Sequence, residues 1–290
     1  MSAASSRIVL ANGLRFAVLE QGEGPLVLLL HGFPDTPRTW SHQMPRLAAA
    51  GYRVVAPYLR GYPPTEIPAS GYYDAATLAC DVKGLVDALA DGPAYVVAQD
   101  WGAAITYGFL AAFPDSVRRA VTMAIPHPRV RPLLIASPEQ IHRSFHWWFF
   151  QLPNLPELAI RLNDFAFIDY LWKLWSPKLE DPAHVAEVKQ MLAVPGALEA
   201  TLSYYRAMLD PMRADPSLAE VRRDLDRDIT VPTLTIFGEE DMRADFADAQ
   251  KAFFKGPYRT VNVPGCGHFL HREKPDEVTD LVLDWLRRAD

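Results

Sequence analysis

Two hydrophobic periods alternate along the chain. Residues 7–10 and 15–19 are short apolar segments around Asn12-Gly13, a pair that favours the tight turn of a β-hairpin. Residues 26–30, Leu-Val-Leu-Leu-Leu, are apolar without interruption, as in a strand buried on both faces, and 54–56 reads the same way. Residues 75–89 then repeat at helical spacing, with Leu78, Val82, Leu85, Val86 and Leu89 on one face. A strand at 95–98, a helix over 102–113 closed by Pro114, and a strand at 120–125 continue the pattern. Strand and helix in turn predict an α/β fold, a mostly parallel sheet flanked by helices.

The order breaks after Pro126-His127-Pro128, and between 131 and 216 no strand pattern is found. This segment is rich in aromatic residues, including Phe145, Trp147, Trp148, Phe149, Phe150 and the pair Tyr204-Tyr205, and is punctuated by prolines. It predicts an inserted helical cap, residues 131–215, on a core of residues 1–130 and 216–290. The α/β order then resumes with a strand at 233–237, a helix at 246–254, a strand at 260–263 and a closing helix at 276–288.

Composition narrows the function classes. With 49% hydrophobic and 22% charged residues the chain has the balance of a folded globule. A net charge of −6 without a basic block argues against a nucleic-acid partner. The two cysteines, Cys80 and Cys266, are too few for a disulfide framework and fit a reducing compartment. The first residues lack a leader pattern, and the apolar run at 25–30 is too short to span a bilayer. The expectation is a cytoplasmic protein with no membrane partner.

Ligands of parallel sheets gather at the carboxyl ends of the strands. There the sequence places His31-Gly32-Phe33-Pro34, Gln99-Asp100-Trp101-Gly102, Gly238-Glu239-Glu240-Asp241 and Gly265-Cys266-Gly267-His268. A nucleophile on a strand-to-helix turn, then an acid, then a histidine is the chain order of a hydrolytic triad. Each residue has a plainer alternative. Asp is a favoured helix N-cap, so Asp100 taken alone reads as a cap for the helix that follows. Asp241 competes with Glu239, Glu240 and Asp245, and His268 with His271. No pair among His42, His142 and His184 has metal-ligand spacing, and no dinucleotide-binding glycine pattern occurs at the strand ends. Neither a metal nor a cofactor is expected.

These four motifs, in this order, resemble the α/β-hydrolase superfamily over nearly the whole chain. Within it the chain is similar to the branch with an aspartate nucleophile, the epoxide hydrolases and the haloalkane and haloacetate dehalogenases. The chemistry of that branch is coherent. An oxygen nucleophile that displaces a leaving group from sp³ carbon must leave something water can remove. A carboxylate leaves an ester, whereas serine would leave an ether. The resemblance implies that Asp100 attacks carbon and that His268, oriented by Asp241, activates the water that clears the ester. The backbone N–H groups of Phe33 and Trp101 would form the oxyanion hole. It further implies a ring-opening role for Tyr205 in Ser203-Tyr204-Tyr205-Arg206. His146 stands where the branch more often has a first lid tyrosine. Trp147, Phe150 and Phe33 are expected to contact substrate. In the dehalogenase alternative, His146, Trp147 and Tyr205 would hold halide instead. Positions 101 and 104, Trp and Ala here, carry arginines in haloacetate dehalogenases, which favours the epoxide, and the aromatic cap predicts a small, apolar, uncharged substrate with water as co-substrate.

Overall fold

A computed structural model describes residues 4–288. Eight strands form one sheet: β1 (Ser5–Ala11), β2 (Leu14–Gln21), β3 (Leu26–Leu30), β4 (Arg53–Pro57), β5 (Ala94–Gln99), β6 (Val117–Met123), β7 (Thr233–Gly238) and β8 (Tyr258–Val263). Their spatial order is β1-β2-β4-β3-β5-β6-β7-β8. The hairpin strand β2 is antiparallel to β1 and β4, and every other pair is parallel. The uninterrupted apolar runs occupy the middle of the sheet, where β3 and β7 are buried along their full length, while β8 at the edge is half exposed.

Strand periodicity divides the interior into two layers. Leu26, Leu28 and Leu30 of β3, with Val96 and Ala98 of β5, face the core that includes α2 (Ala75–Leu89) and α3 (Trp101–Ala112). Val27, Leu29 and Val97 face the opposite core, built with α1 (Gln43–Ala49) and α12 (Pro275–Leu286). Asp74 caps α2 by accepting from the backbone N–H groups of Ala76 and Thr77.

Between β6 and β7 every regular element is helical: α4 (Arg131–Ala136), α5 (Pro138–Arg143), α6 (Phe145–Phe149), α7 (Leu155–Trp175), α8 (Pro182–Leu192), α9 (Ala197–Leu209) and α10 (Ala219–Asp224), with short 3₁₀ turns. The remaining short helix, α11 (Leu270–Glu273), follows His268. α7 is interrupted where Asn163, Asp164 and Phe165 take left-handed backbone angles. The inserted helices are tied to the strand ends. Trp172 Nε1 donates to the Pro34 carbonyl at 2.9 Å, and its ring stacks on Phe269 at 3.8 Å. His268 N donates to the Trp175 carbonyl at 3.0 Å.

The helix expected at 246–254 is not formed. Two 3₁₀ turns, Ala244–Phe246 and Lys251–Phe253, take its place. The reason is tertiary. Gln250 is fully buried and its side-chain oxygen accepts from His127 N at 2.8 Å, while the Phe253 carbonyl accepts from Ile229 N at 2.9 Å. Bonds to distant chain displace the local i→i−4 ladder. No helix among the described residues is long and apolar enough to cross a membrane.

Candidate active site

Asp100 ends β5 and opens α3 in a turn with φ 50° and ψ −121°. Positive φ is sparsely populated for a residue with a side chain and costs on the order of 1–3 kcal/mol. The turn is possible because position 102 is glycine: a Cβ there would lie 2.4 Å from the Leu30 carbonyl oxygen. The N-cap alternative does not describe Asp100, whose side chain accepts no bond from the helix. Instead Asp100 Oδ1 accepts from Phe33 N at 2.7 Å, and Oδ2 lies 3.4 Å from His268 Nε2. Phe33 reaches it because β3 pairs with β5 in register, Leu30 beside Ala98.

Asp241 and His268 follow β7 and β8, which are also neighbours. Gly238 lets their loops touch, since a Cβ there would meet the Gly267 carbonyl oxygen at 2.1 Å. Asp241 Oδ2 lies 2.7 Å from His268 Nδ1, and Asp241 Oδ1 accepts from Arg243 N at 2.7 Å. This fixes the imidazole with Nδ1–H on Asp241 and Nε2 toward Asp100. The Nε2 contact has the separation of a charge pair but not the geometry of a hydrogen bond, so Nε2 remains available to a further partner. His271, the competing histidine, is buried with Nε2 2.6 Å from Thr39 Oγ1. His31 acts as a structural donor and acceptor at the Gly32 carbonyl and Leu59 N. His42 and His142 are exposed, whereas His184, on α8 of the inserted segment, is buried with Nε2 2.6 Å from Asp35 Oδ1.

Burial opposes charge on His268, but Asp241 and Asp100 overcome it and raise the imidazole to about 10. The sign of the linked stability follows. A folded value above the ordinary 6.5 contributes stability that is fully present below pH 6.5 and lost as pH rises through about 10. The melting-temperature difference between the native protein and His268→Gln is therefore expected to shrink steadily between those limits in a calorimetric pH series. A constant difference would contradict the assignment.

The inserted helices supply the facing wall. Tyr205 of α9 packs edge-on against Phe33 at 5.5 Å, Trp101 at 5.1 Å, Phe150 at 5.0 Å and His146 at 5.6 Å. Burial and the Asp100 charge push the Tyr205 phenol well above its ordinary value, so it keeps its proton. Burial, with Arg243 and His268 nearby, pushes His146 well below, so its ring is neutral. Arg206 locks this wall by donating to the Phe150 and Leu152 carbonyls and pairing with Glu157 at 2.7 Å. Tyr204 points elsewhere, its hydroxyl donating to the Arg60 carbonyl at 2.7 Å. Arg60 itself forks onto Asp81 at 2.6 Å within the core, a structural role.

A cavity of about 60 Å³ lies against Asp100, walled also by Trp101, Trp147, Tyr205 and Arg243. That is room for a handful of waters or a small ligand. Trp147 thus faces the cavity, while the side chains of Phe33, Phe150 and His146, also expected at the site, are buried and do not line it. Sequence reasoning missed Arg243. Its guanidinium is buried, donates to Gln140 Oε1 and Ser144 Oγ, and lies 4.7 Å over the Trp147 ring. Its place two residues after Asp241 is the only signal the chain offers. The arrangement presents one carboxylate oxygen to a cavity, an N–H at the other, an oriented imidazole, and the neutral Tyr205 hydroxyl, backed by the His146 ring, in the wall of that cavity.

A sheet of this topology carrying acid, acid and imidazole past β5, β7 and β8 defines a hydrolase of the α/β class. The profile of the alpha/beta hydrolase family matches residues 27–281, and the chain belongs to that family. It is 31% identical to epoxide hydrolase 4 of Mus musculus over 95% of this chain and 77% of that one. It is 32% identical to the AB hydrolase superfamily protein YfhM of Bacillus subtilis over 99% of both, and 31% identical to epoxide hydrolase A of Mycobacterium tuberculosis over 99% of this chain and 98% of the other. The crystal structure of epoxide hydrolase A from Mycobacterium thermoresistibile superposes with a TM-score of 0.80 at 27% identity, covering 99% of both chains.

Proposed function

We propose that the protein opens a small epoxide to a vicinal diol through an ester on Asp100, with residues 131–215 serving as the lid over the reaction. The observation that carries the reading is the Asp100 carboxylate, held by Phe33 N at 2.7 Å and facing Tyr205 across the cavity. Three relatives or neighbours above bear epoxide hydrolase names, which supports the same class.

The steps balance as follows. One Asp100 oxygen attacks a ring carbon, the carbon–oxygen bond breaks, and the alkoxide takes the Tyr205 proton, with His146 as a second donor. Esterification removes the negative charge of Asp100 beside His268. The imidazolium then loses one of the two carboxylates that raised it, and its proton restores Tyr205. Neutral His268 takes a proton from water, whose oxygen adds to the ester carbonyl. The oxyanion is met by Phe33 N and Trp101 N. Collapse releases the diol with one oxygen that began on Asp100: the leaving alkoxide takes the proton that His268 drew from water, and the new Asp100 carboxylic acid passes its proton to His268, restoring the starting charges.

A dehalogenase would use the same carboxylate but need only donors to halide. A paired assay separates them. Diol is expected from an aliphatic epoxide or styrene oxide, with little halide from 1-bromobutane or chloroacetate. Halide release without diol would replace this reading.

A further inference from the structure

Besides Arg243, which is bonded to Gln140 and Ser144, the cavity wall holds Arg131 and His127, which ring opening does not use. Arg131, the first residue of α4, makes one hydrogen bond, from Nη1 to the Met208 carbonyl at 3.4 Å, and no carboxylate pairs with it among the described residues. Burial pulls its guanidinium below the ordinary value with no acidic neighbour to offset the effect. A desolvated cation without a counter-ion is unfavourable unless a ligand supplies one. His127 lies in the same wall. Its Nδ1 accepts from Arg129 N at 3.2 Å, which leaves the proton of the neutral ring on Nε2. That Nε2 is buried without an acceptor among the described residues, in a side chain only 2% exposed. Arg131 also lines two clefts that flank the cavity, so it stands where the cavity meets the outside.

We propose that Arg131 and His127 bind a carboxylate carried by the substrate, so that the preferred electrophile is a small epoxide bearing an acid group. The inference rests on the ring-opening reading above. A guanidinium fork and an imidazole N–H together match the two oxygens of a carboxylate. They also offset the repulsion between an anionic substrate and Asp100. The expectation of an uncharged substrate rests on the aromatic lid and on positions 101 and 104, whereas Arg131 and His127 reach the wall from other positions.

The test compares oxirane-2-carboxylate with its neutral amide. In the native protein, kcat/KM for the acid is expected to exceed that for the amide by about tenfold or more. Arg131→Met is expected to lower the acid value by about 10- to 100-fold while the amide changes less than about threefold. Arg131→Lys should restore part of the loss. Calorimetric titration with propanoate and propanamide reads the subsite without turnover: propanoate should bind the native protein more tightly, and Arg131→Met should abolish that advantage. Equal losses on acid and amide, or no preference for either anion in the native protein, would overturn the subsite. If the native protein opens neither epoxide, ring opening fails, and the propanoate titration alone decides the fate of the subsite.

Discussion

Replacing His268 with Gln is expected to stop the reaction with the substrate covalently attached to Asp100. Attack needs only the carboxylate and the donors opposite, all of which the variant keeps. The second step needs a base at Nε2, and glutamine has none. Intact-protein mass spectrometry should show a gain equal to the mass of the epoxide, mapped to the peptide containing Asp100. Asp100→Ala should show no adduct and a fall in turnover of about 10⁴-fold or more. One turnover of the native protein in heavy-oxygen water should place the label in the polypeptide and not in the diol. Label appearing first in the diol would mean that water attacks the epoxide directly.

Tyr205→Phe is expected to lower kcat for epoxides by about 10²- to 10³-fold. The substitution removes only the hydroxyl and leaves the ring contacts with Phe33, Trp101, Phe150 and His146 in place. An alkoxide is a poor leaving group, so loss of the proton donor falls on the ring-opening step. The adjacent residue is the control. Tyr204→Phe removes a hydrogen bond to the Arg60 carbonyl and should cost about 1 kcal/mol of stability with kcat nearly unchanged. Single-turnover kinetics with thermal melts distinguish the two. A larger kcat effect at 204 would reverse the assignment of the tyrosines.

The parts of this molecule legible in the sequence are those governed by local period. The runs in β3, β5 and β7 and the stripe on α2 report burial directly, because a strand alternates every second residue and a helix every three or four. The candidate residues could be located in the sequence because each follows a strand, and the sheet order brings those strand ends together. What escaped is tertiary. The segment at 246–254 carries apolar residues at nearly helical spacing, yet buried Gln250 and the Phe253 carbonyl bind distant backbone. Polar side chains away from the strand ends escaped too. Nothing in a linear reading marks Arg243 and His184 as buried or Arg131 as lining the cavity, and only packing shows it.

The sheet order described above separates two kinds of inheritance. Asp100, Asp241, His268 and Phe33 descend from β5, β7, β8 and β3 of one sheet, so their mutual spacing is set by strand register. Tyr205, His146, Trp147 and Arg131 all belong to the stretch interposed between β6 and β7. On the proposed reading, the attacking carboxylate and the water-activating imidazole come from the sheet, while the proton donors to the opened ring come from the interposed stretch. Substitutions in the interposed stretch therefore move the wall that faces Asp100 without altering the strand register that spaces Asp100, Asp241 and His268.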